Sequence, residues 1–448
     1  MESCDFLITY EIRNREAENI SLLKRELERR GYKVLIREQY EAFFKAPELV
    51  DAKVVVVPAY YRDRVRFYTS SHTPRVDKVV NLQWEQMIAS SRTGKGSLVA
   101  IKPWGHGAMH FSWGQDNVNR LVNEYGVPKE HVTLTGHLSM DFLRPQLRKY
   151  YLSREEICEQ FSLPVEKEIC LFISSFTIAT SHERFLEGAC SNEQERKNMY
   201  AFRDASIESQ KTIMEWFDRF LDENDDKIIV YRPHPEERGS EAVAHMKEKH
   251  DNFYVISDLS IKQWILASDK IFTWTSTSIA EVFFADKTCL ILNPVPLPEQ
   301  MIMDLYKNAA AITTYEEFDA SANADSIDFP VPEDVINKVY SIDKSHLSFE
   351  LACDALERVL HDDRFTLDKP LINPFNGIIN FERIQCTIKR AVASSKLCNA
   401  IRNKDLLKNT RLRKNIDDVI YVKEKLARNH VTDEEFAEMV NRIDAALS

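Results

Sequence analysis

The sequence predicts an α/β protein built from two Rossmann-like, doubly wound domains, followed by a helical C-terminal tail. Short runs of Val, Ile and Leu alternate with segments whose apolar residues recur every three or four positions. Continuous apolar runs are typical of parallel strands that helices cover on both faces. The alternation begins again after a charged, proline-containing stretch at 143–168, so we predict domains at 1–150 and 151–360 and a tail at 361–448.

The first predicted domain contains six apolar runs with the character of strands. A helix begins near Asn14 and stops at Gly31, and a second helix spans 116–126. The predicted strands are DFLITY at 5–10, YKVLI at 32–36, AKVVVVPAYY at 52–61, DKVVNLQW at 77–84, SLVAIKPW at 97–104 and HVTLTG at 131–136. Strands that alternate with helices in this way favour a parallel sheet.

The second predicted domain repeats the pattern. Its strands are predicted at the apolar starts of the segments ICLFISSF at 169–176, KIIVYRPHP at 227–235, NFYVIS at 252–257, KIFTW at 270–274 and TCLILNP at 288–294. Helices are predicted near 193–222, 240–250, 261–268 and 275–284. Two Rossmann-like domains in tandem usually face each other across a cleft that binds the ligand, so we expect such a cleft here.

Composition and charge narrow the functional classes. The chain has 448 residues and a net charge of −11, which disfavours a nucleic-acid binder. Its eight Cys residues are scattered, as is typical of a reduced cytoplasmic protein. The sequence has no apolar stretch of about 18 residues and no signal-peptide pattern at its start, so we expect a cytoplasmic location. No G-x-G-x-x-G follows a strand, which disfavours a nicotinamide or flavin enzyme.

The stretch VYRPHPEERG at 230–239 follows a predicted buried strand with an unusual set of residues. Two prolines fix the backbone on either side of His234 and remove two main-chain donors. This stiffness aims Arg232 and His234 at one place. A rigid pair of such groups at the end of a strand indicates a bound anion, and we predict a phosphate.

Hydroxyl side chains follow two other strands of the same domain. Glu281 comes three residues after the last member of the group Thr275, Ser276, Thr277 and Ser278, and Ser175 follows the domain's first strand. A phosphate could bind at the start of the helix that this group opens, and Glu281 could accept hydrogen bonds from a ribose. The alternative is an ordinary capping box formed by Ser278 and Glu281. We predict that the three polar strand ends converge on one rim of the sheet.

These residues resemble the nucleotide-binding half of a GT-B glycosyltransferase. The combination of Arg-Pro-His-Pro with Thr-Ser-Thr-Ser is similar to the HP and serine motifs of bacterial sialyltransferases and Kdo transferases of surface-carbohydrate (capsule and lipopolysaccharide) biosynthesis. CDP-glycerol glycerophosphotransferases share a similar pair. The resemblance implies that His234 and Arg232 contact the donor phosphate opposite Ser276, Thr277 and Ser278, and that Glu281 binds the ribose.

Two residues of the first domain are candidates for the catalytic base. Glu85 follows a predicted buried strand, where a carboxylate is costly unless it is used or paired. His106, in KPWGHGAMHFSWG, resembles the segment that carries the base of the glycerophosphotransferases, and a histidine suits that task. The alternatives are an ion-paired Glu85 and a structural His106. His110 and His137 are weaker candidates.

The resemblance implies an inverting glycosyltransferase that needs no metal, because no Asp-x-Asp occurs in the chain. The donor would be a CMP-sugar carrying Kdo or a nonulosonate, and the acceptor a surface glycan or a lipid-linked glycan. A CDP-glycerol-type polyol phosphate transferase is one alternative. A sugar-nucleotide 2-epimerase and a nucleotide-binding module without activity are the others.

The predicted tail contains a basic stretch at 384–414, within a protein whose net charge is negative. A solvated helical face is one interpretation. The other is a surface that meets an anionic membrane, where each basic residue contributes about 1 kcal/mol. The second interpretation predicts peripheral membrane association that salt reverses.

Overall fold

The computed structural model describes residues 1–41, 48–61, 63–87, 99–181, 183–188, 190, 192–342, 345–375 and 423–448, with the single positions 384, 387, 388, 391 and 420. The chain divides into two compact units. Among the described residues, the first unit comprises those within 1–87, 99–139 and 341–448, and the second comprises those within 140–340.

A six-stranded parallel sheet forms the centre of the first unit. In chain order its strands are β1 (Glu2–Tyr10), β2 (Val34–Glu38), β3 (Val50–Val57), β4 (Val79–Asn81), β5 (Met109–Ser112) and β6 (Val132–Leu134). They lie in the order β2-β1-β3-β4-β5-β6. The later residues of both central strands, 6–10 of β1 and 54–57 of β3, are buried, as the continuous apolar runs predict. A short antiparallel pair, Arg75–Val76 with Leu371–Ile372, lies beside this sheet.

One predicted strand of this unit is wrong. Residues 99–102 have no regular structure and Pro103–Gly105 form a 3₁₀ turn, whereas the strand is β5, which begins at Met109. Val99 and Ile101 are nonetheless buried, so their apolar character reflects a packed loop. Pro103 cannot donate to a sheet ladder, which explains why the run does not pair.

The helices of the first unit surround the sheet. They are α1 (Arg13–Arg29), α2 (Asp63–Ser71), α3 (Gln115–Asn119), which continues as a π-helical turn at Arg120–Glu124, and α4 (Leu138–Asp141), which leads into the second unit. The apolar face of α1 is buried, and the chain leaves this helix through Gly31 at φ +93°, which confirms the predicted stop. The predicted cap is wrong, because Ile12 and not Asn14 occupies the N-cap position.

The second unit contains another six-stranded parallel sheet. Its strands are β7 (Glu168–Ile173), β8 (Lys227–Arg232), β9 (Phe253–Val255), β10 (Lys270–Thr273), β11 (Leu290–Leu292) and β12 (Ala311–Ile312). They lie in the order β9-β8-β7-β10-β11-β12. The strand order therefore reverses between β7 and β10. In open α/β sheets this reversal is where ligands bind, beyond the carboxyl ends of the strands.

Helices and aromatic side chains cover the second sheet. The helices are α5 (Arg154–Phe161), α6 (Glu183–Gly188), α7 (Glu193–Glu223), α8 (Glu241–Lys249), α9 (Ile261–Ala267), α10 (Ile279–Phe284), α11 (Tyr315–Ala322) and α12 (Glu333–Val339). Phe172 and Phe272 from the sheet pack against Phe217 of α7 and Phe318 of α11. This core fixes the sheet whose rim carries the polar segments.

The C-terminal helices return to the first unit. Helix α13 (Ser348–His361) and helix α14 (Asp433–Leu447) both pack on α1. Arg30 of α1 pairs with Asp354 at 2.7 Å, and Arg25 pairs with Asp444 at 2.7 Å. The described part of the predicted tail thus ends in a helix, as predicted, but it also contains the short strand Leu371–Ile372. The second unit ends at Tyr340 instead of the predicted 360, because the buried face of α13 packs in the first unit.

Two sequence predictions concern membranes. The basic stretch 384–414 lies outside the described residues, apart from the single positions 384, 387, 388 and 391, so its membrane contact stays a prediction. Among the helices of the described ranges, none combines the length and the apolar character needed to cross a bilayer.

Candidate functional site

Three polar segments follow neighbouring strands of the second sheet. Ile173, the last residue of β7, pairs with Arg232 of β8 on one side and with Thr273 of β10 on the other. The segments that begin at Ser174, Pro233 and Trp274 therefore leave the sheet at the same level. The predicted convergence of three polar strand ends is confirmed, and it falls at the reversal of strand order.

Hydrogen bonds join the segments that follow β7 and β10. The Ser175 hydroxyl lies 3.3 Å from the Thr275 hydroxyl and also accepts the Thr275 main-chain N–H at 3.3 Å. Below them, Phe176 stacks on the buried Trp274 with ring centroids 4.6 Å apart. Predicted site residues one hundred positions apart in the chain are thus in direct contact.

The hydroxyl-rich turn 275–278 leaves two side chains at the surface. Ser276 is buried, and its carbonyl accepts the Tyr306 hydroxyl at 2.6 Å while its own hydroxyl accepts the Ser278 N–H at 3.3 Å. Thr277 is exposed and Ser278 is half-buried. Among the described residues, neither of these two hydroxyls has a hydrogen-bond partner, so both are available to a ligand.

The alternative interpretation of this turn as a capping box is wrong. Helix α10 begins at Ile279, and the Ser278 side chain makes no capping hydrogen bond. The same unit contains true capping boxes, formed by Ser153 with Glu156 and by Thr314 with Glu317. The 275–278 turn therefore lacks the side-chain cap that Ser153 and Thr314 provide, as does Ser260 before α9.

Glu281 lies on the first turn of α10 and is half-buried. Burial raises the pKa of its carboxyl to about 7, against the opposing influence of the Lys262 ammonium. Near neutral pH this group is therefore divided between its charged and its protonated forms. In either form it can make a hydrogen bond with a hydroxyl.

Arg232 is half-buried and its guanidinium faces the main chain of the loop after β9. It donates to the carbonyls of Ile256 at 3.4 Å, Asp258 at 2.9 Å and Leu259 at 2.5 Å. Leu259 has a φ of +62°, a strained conformation for leucine that these bonds hold in place. Burial lowers the pKa of Arg232 to about 10, so the residue stays cationic at neutral pH. Its contact with a phosphate stays a prediction.

His234 is exposed and has a defined ring orientation. Its Nδ1 accepts the main-chain N–H of Glu236 at 3.1 Å. A nitrogen that accepts a hydrogen bond carries no proton, so the neutral ring holds its proton on Nε2. His234 can therefore donate a hydrogen bond to an anion in its neutral form.

A polar cluster that the sequence motifs do not reveal lies beneath His234. Ser174 and Tyr231 are almost fully buried, and their hydroxyls lie 2.8 Å apart. Both hydroxyls donate to the carboxylate of Glu237 at 2.5 Å, and Gln210 donates to the Tyr231 hydroxyl at 3.3 Å. The available signal was the tyrosine itself, since a Tyr within a buried strand needs a partner for its hydroxyl.

In the first unit, Glu85 follows the carboxyl end of β4 and is not buried. Its side chain is 45% exposed, so the predicted burial of this carboxylate is wrong. It accepts the Tyr61 hydroxyl at 2.9 Å and lies 3.4 Å from the Arg15 guanidinium. The paired state that sequence analysis offered as the alternative is the observed one, and the role of base stays a prediction.

His106 precedes the amino end of β5. It ends the 3₁₀ turn before that strand, and a Cβ placed on Gly126, before β6, would lie 3.6 Å from its Cε1. Its Nε2 is buried and has no partner among the described residues. Since β4 and β5 are parallel, Glu85 and His106 lie towards opposite ends of these strands, and the structure does not bring them together.

The two weaker histidine candidates, His110 and His137, also lie in different surroundings. His110 is fully buried, with Nδ1 at 3.0 Å from the Asn81 amide and Nε2 at 3.0 Å from the Gly105 carbonyl. Burial lowers the pKa of His110 to about 4, which fits a structural role. His137 follows β6, and its ring lies 4.0 Å from that of Trp113.

Comparison with known proteins gives likeness of structure only. No protein-family model matches the chain, and no curated protein matches its sequence. Solved structures similar to it include the wall teichoic acid polymerase TagF, at 12% identity over 80% of this chain and 89% of that one, with a TM-score of 0.49. MnaA of S. aureus with UDP matches at 14% identity over 80% and 97%, with a TM-score of 0.45.

A third similar structure is the UDP-GlcNAc 2-epimerase from Neisseria meningitidis bound to UDP-GlcNAc. It is 14% identical over 81% of this chain and 100% of that one, with a TM-score of 0.46. None of these scores reaches 0.5, so the two doubly wound sheets are established here by their own strand order.

Proposed function

We propose that this chain is a nucleotide-sugar-dependent glycosyltransferase whose second unit holds the donor nucleotide. The observation that carries the proposal is the meeting of three polar segments at the reversal of strand order, where Ser175 contacts Thr275 directly. A polar rim at this point of a parallel sheet is the usual place for a nucleotide in such folds.

The nucleotide phosphate would lie between His234 and the turn 275–278. His234 offers an Nε2–H donor, and Thr277 and Ser278 offer hydroxyls without partners among the described residues. Arg232 contributes positive charge near this place, although its N–H groups are bonded to carbonyls. Neutral and cationic donors around an anion suit a phosphate.

The ribose would contact Glu281, one turn along α10 from the hydroxyl-rich turn. Its carboxyl titrates near neutral pH, because burial raises its pKa to about 7. Ribose hydroxyls can both donate and accept, so they can pair with either form of this carboxyl. Nucleotide binding would nonetheless favour the charged form, since a carboxylate accepts two hydrogen bonds from a vicinal diol.

The reaction would be a direct displacement with inversion. An acceptor hydroxyl attacks the reactive carbon of the donor sugar, the bond to the nucleotide phosphate breaks, and the hydroxyl proton passes to a base, for which Glu85 is the candidate. Negative charge grows on the departing phosphate, where the His234 N–H and the hydroxyls of Thr277 and Ser278 stabilise it. Protein donors would serve this step without a metal.

The sequence motifs favour a cytidine nucleotide, with CMP-linked Kdo or a nonulosonate ahead of CDP-glycerol. A thermal-shift screen with CMP, CDP, UDP and GDP tests this point, because a ligand that binds the folded state raises the melting temperature. We expect the largest shift with CMP or CDP. A shift with UDP alone would contradict the cytidine preference, and no shift with any of the four would contradict nucleotide binding.

Turnover separates the remaining functional classes. Incubation with CMP-, CDP- and UDP-linked donors should give transfer that depends on an acceptor and persists in EDTA. Transfer that chelation abolishes and Mg²⁺ restores would contradict the metal-independent mechanism. Epimerisation without an acceptor would identify an epimerase, and binding without turnover would identify a nucleotide-binding module.

The acceptor in this proposal is a surface glycan or a lipid-linked glycan at the cytoplasmic face of a membrane. The support is the basic stretch 384–414, whose charge suits an anionic lipid surface. Sedimentation with anionic vesicles at low salt, but not with neutral vesicles, is the expected result. Absence of binding to either kind of vesicle would remove the membrane from the proposal.

A further inference from the structure

We infer that Glu237 is a positioning residue for His234: its carboxylate fixes the loop that presents the histidine to the phosphate. This inference rests on the proposed function of the second unit. It concerns a residue that touches neither the phosphate nor the sugar. The loop comprises residues 233–238, between β8 and α8.

The Glu237 carboxylate collects donors from two strand ends and from the loop itself. It accepts the Ser174 hydroxyl and the Tyr231 hydroxyl, each at 2.5 Å. It also lies 3.4 Å from the main-chain N–H of His234. The carboxylate thus connects the end of β7 and the end of β8 to the backbone of the histidine.

Main-chain bonds close the same loop into a compact turn. The Glu237 N–H donates to the His234 carbonyl at 2.8 Å, and the Glu236 N–H donates to the His234 ring at 3.1 Å. The next residue, Arg238, donates its N–H to the Thr180 hydroxyl at 3.1 Å. The ring orientation of His234 therefore depends on a turn that Glu237 anchors to the sheet.

The arrangement also explains how a carboxylate can lie near an anion site. The Ser174 and Tyr231 hydroxyls point their protons at Glu237 and are almost fully buried. Burial, followed by the charge of Glu237, raises the pKa of Tyr231 well above its usual range, so the tyrosine keeps its proton. Two buried donors take up the negative charge and reduce its repulsion of a phosphate.

Removal of the Glu237 carboxylate should weaken the binding of the phosphate and leave the binding of the nucleoside unchanged. In the Glu237→Ala variant the loop loses three hydrogen bonds, so the turn that orients the His234 ring loses this anchor to the sheet. The expected result is about a tenfold fall in the affinity for a nucleotide, equivalent to about 1.4 kcal/mol, with the affinity for the nucleoside retained.

The experiment is a calorimetric comparison of CMP with cytidine and of UMP with uridine. The proteins are the wild type and the variants Glu237→Ala, Glu237→Gln, His234→Ala and the His234→Ala/Glu237→Ala double variant. Glu236→Ala is the matched control, because its exposed side chain lies outside the cluster and its main-chain N–H is retained. Glu237→Gln keeps the shape of the side chain and guards against a folding defect in the alanine variant.

A positioning role predicts three results together. Glu237→Ala lowers the ratio of nucleotide to nucleoside affinity about tenfold, Glu237→Gln lowers it less, and Glu237→Ala adds nothing to the loss in a protein that already lacks His234. Equal losses for nucleotide and nucleoside, or fully additive losses in the double variant, would overturn the inference and leave the phosphate site intact. Absence of nucleotide binding by the wild type would instead overturn the proposed function.

Discussion

The carboxyl ends of the second sheet and the base candidates of the first unit contrast sharply. After β7, β8 and β10, residues far apart in the sequence meet through hydrogen bonds. In the first unit, Glu85 follows one strand and His106 precedes its neighbour, so the two candidates stay apart.

The cause of the difference is the position of each residue relative to its strand. The motifs of the second unit follow correctly predicted strands, and parallel strands bring their carboxyl ends to one edge. The apolar run at 97–104 predicts a strand before His106, but the strand begins at Met109, after it. Because the strand begins a few residues later than predicted, His106 lies at the amino end of the sheet and not at the predicted carboxyl end.

The largest expected effect tests the first unit. Glu85→Gln should lower the transfer rate by about a hundredfold or more and retain the affinity for the donor, because a general base contributes at least that factor. His106→Ala should leave the rate within a small factor of the wild type. Rates and donor affinities from steady-state kinetics provide the check. Loss of rate in His106→Ala with full activity in Glu85→Gln would reverse the assignment.

The next effect tests the second unit. His234→Ala should lower nucleotide affinity about tenfold to a hundredfold, since a hydrogen bond to a charged group contributes about 1.5–3 kcal/mol. The melting temperature should not change, because the side chain is exposed. His245→Ala, which removes another exposed histidine of this unit, is the control. Unchanged nucleotide affinity in His234→Ala would exclude it from the phosphate site.

Arg232 should behave differently from His234, although both belong to one motif. Arg232→Ala leaves three carbonyls of the loop after β9 without their donor, so it should lower the free energy of unfolding by about 2 kcal/mol. Urea denaturation of the Arg232→Ala and His234→Ala variants provides the comparison. Equal stability of Arg232→Ala and the wild type would show that the three hydrogen bonds of Arg232 contribute nothing to the free energy of unfolding.

The sequence was sufficient where local pattern determines structure. Continuous apolar runs bounded by polar residues predicted most strands of both sheets, though not β5 or β12, and proline with histidine marked the loop after β8. The role of Glu237 could not be predicted, because its partner Ser174 comes 63 residues earlier in the chain. The buried loop around Ile101 was mistaken for a strand because burial, which gives a run its apolar character, does not require pairing in a sheet.

Glu281 should make the stability of the second unit depend on pH. Its pKa of about 7 in the folded state exceeds the ordinary value of 4.5. Between these pH values the folded protein therefore holds a proton on Glu281 that the unfolded chain has lost. Its contribution to stability is therefore present at acidic pH and lost as the pH rises towards 7 and above. We expect Glu281→Gln to be more stable than the wild type at pH 8 by about 1–2 kcal/mol. This is less than 1.36 kcal/mol for every pKa unit between 4.5 and about 7, because the group is half-buried and solvent screens its charge. Thermal unfolding at pH 5 and pH 8 checks this, and an equal difference at both values would contradict it.

The smallest effect returns to the first unit, where two buried glutamines lie on one turn after β4. Gln83 has a φ of +49°, and both polar atoms of its amide are buried without partners among the described residues. The Gln86 amide donates to the carbonyls of Gln83 and Phe111 and accepts the Trp113 N–H at 2.8 Å.

Methionine has a shape similar to that of glutamine and no hydrogen-bonding amide. Substitution by methionine therefore distinguishes the Gln83 amide, which has no partners among the described residues, from the hydrogen-bonded Gln86 amide. Gln83→Met should raise the free energy of unfolding by about 1 kcal/mol, because it removes unsatisfied groups, whereas Gln86→Met should lower it by about 1–3 kcal/mol. Urea denaturation of the pair measures the difference directly. If Gln83→Met gains stability but loses transfer activity, then Gln83 is retained for a ligand, and the first unit has a functional carboxyl edge that its histidine motif did not reveal. If Gln83→Met is destabilised as much as Gln86→Met, its amide has partners in solution and the carboxyl edge loses this candidate.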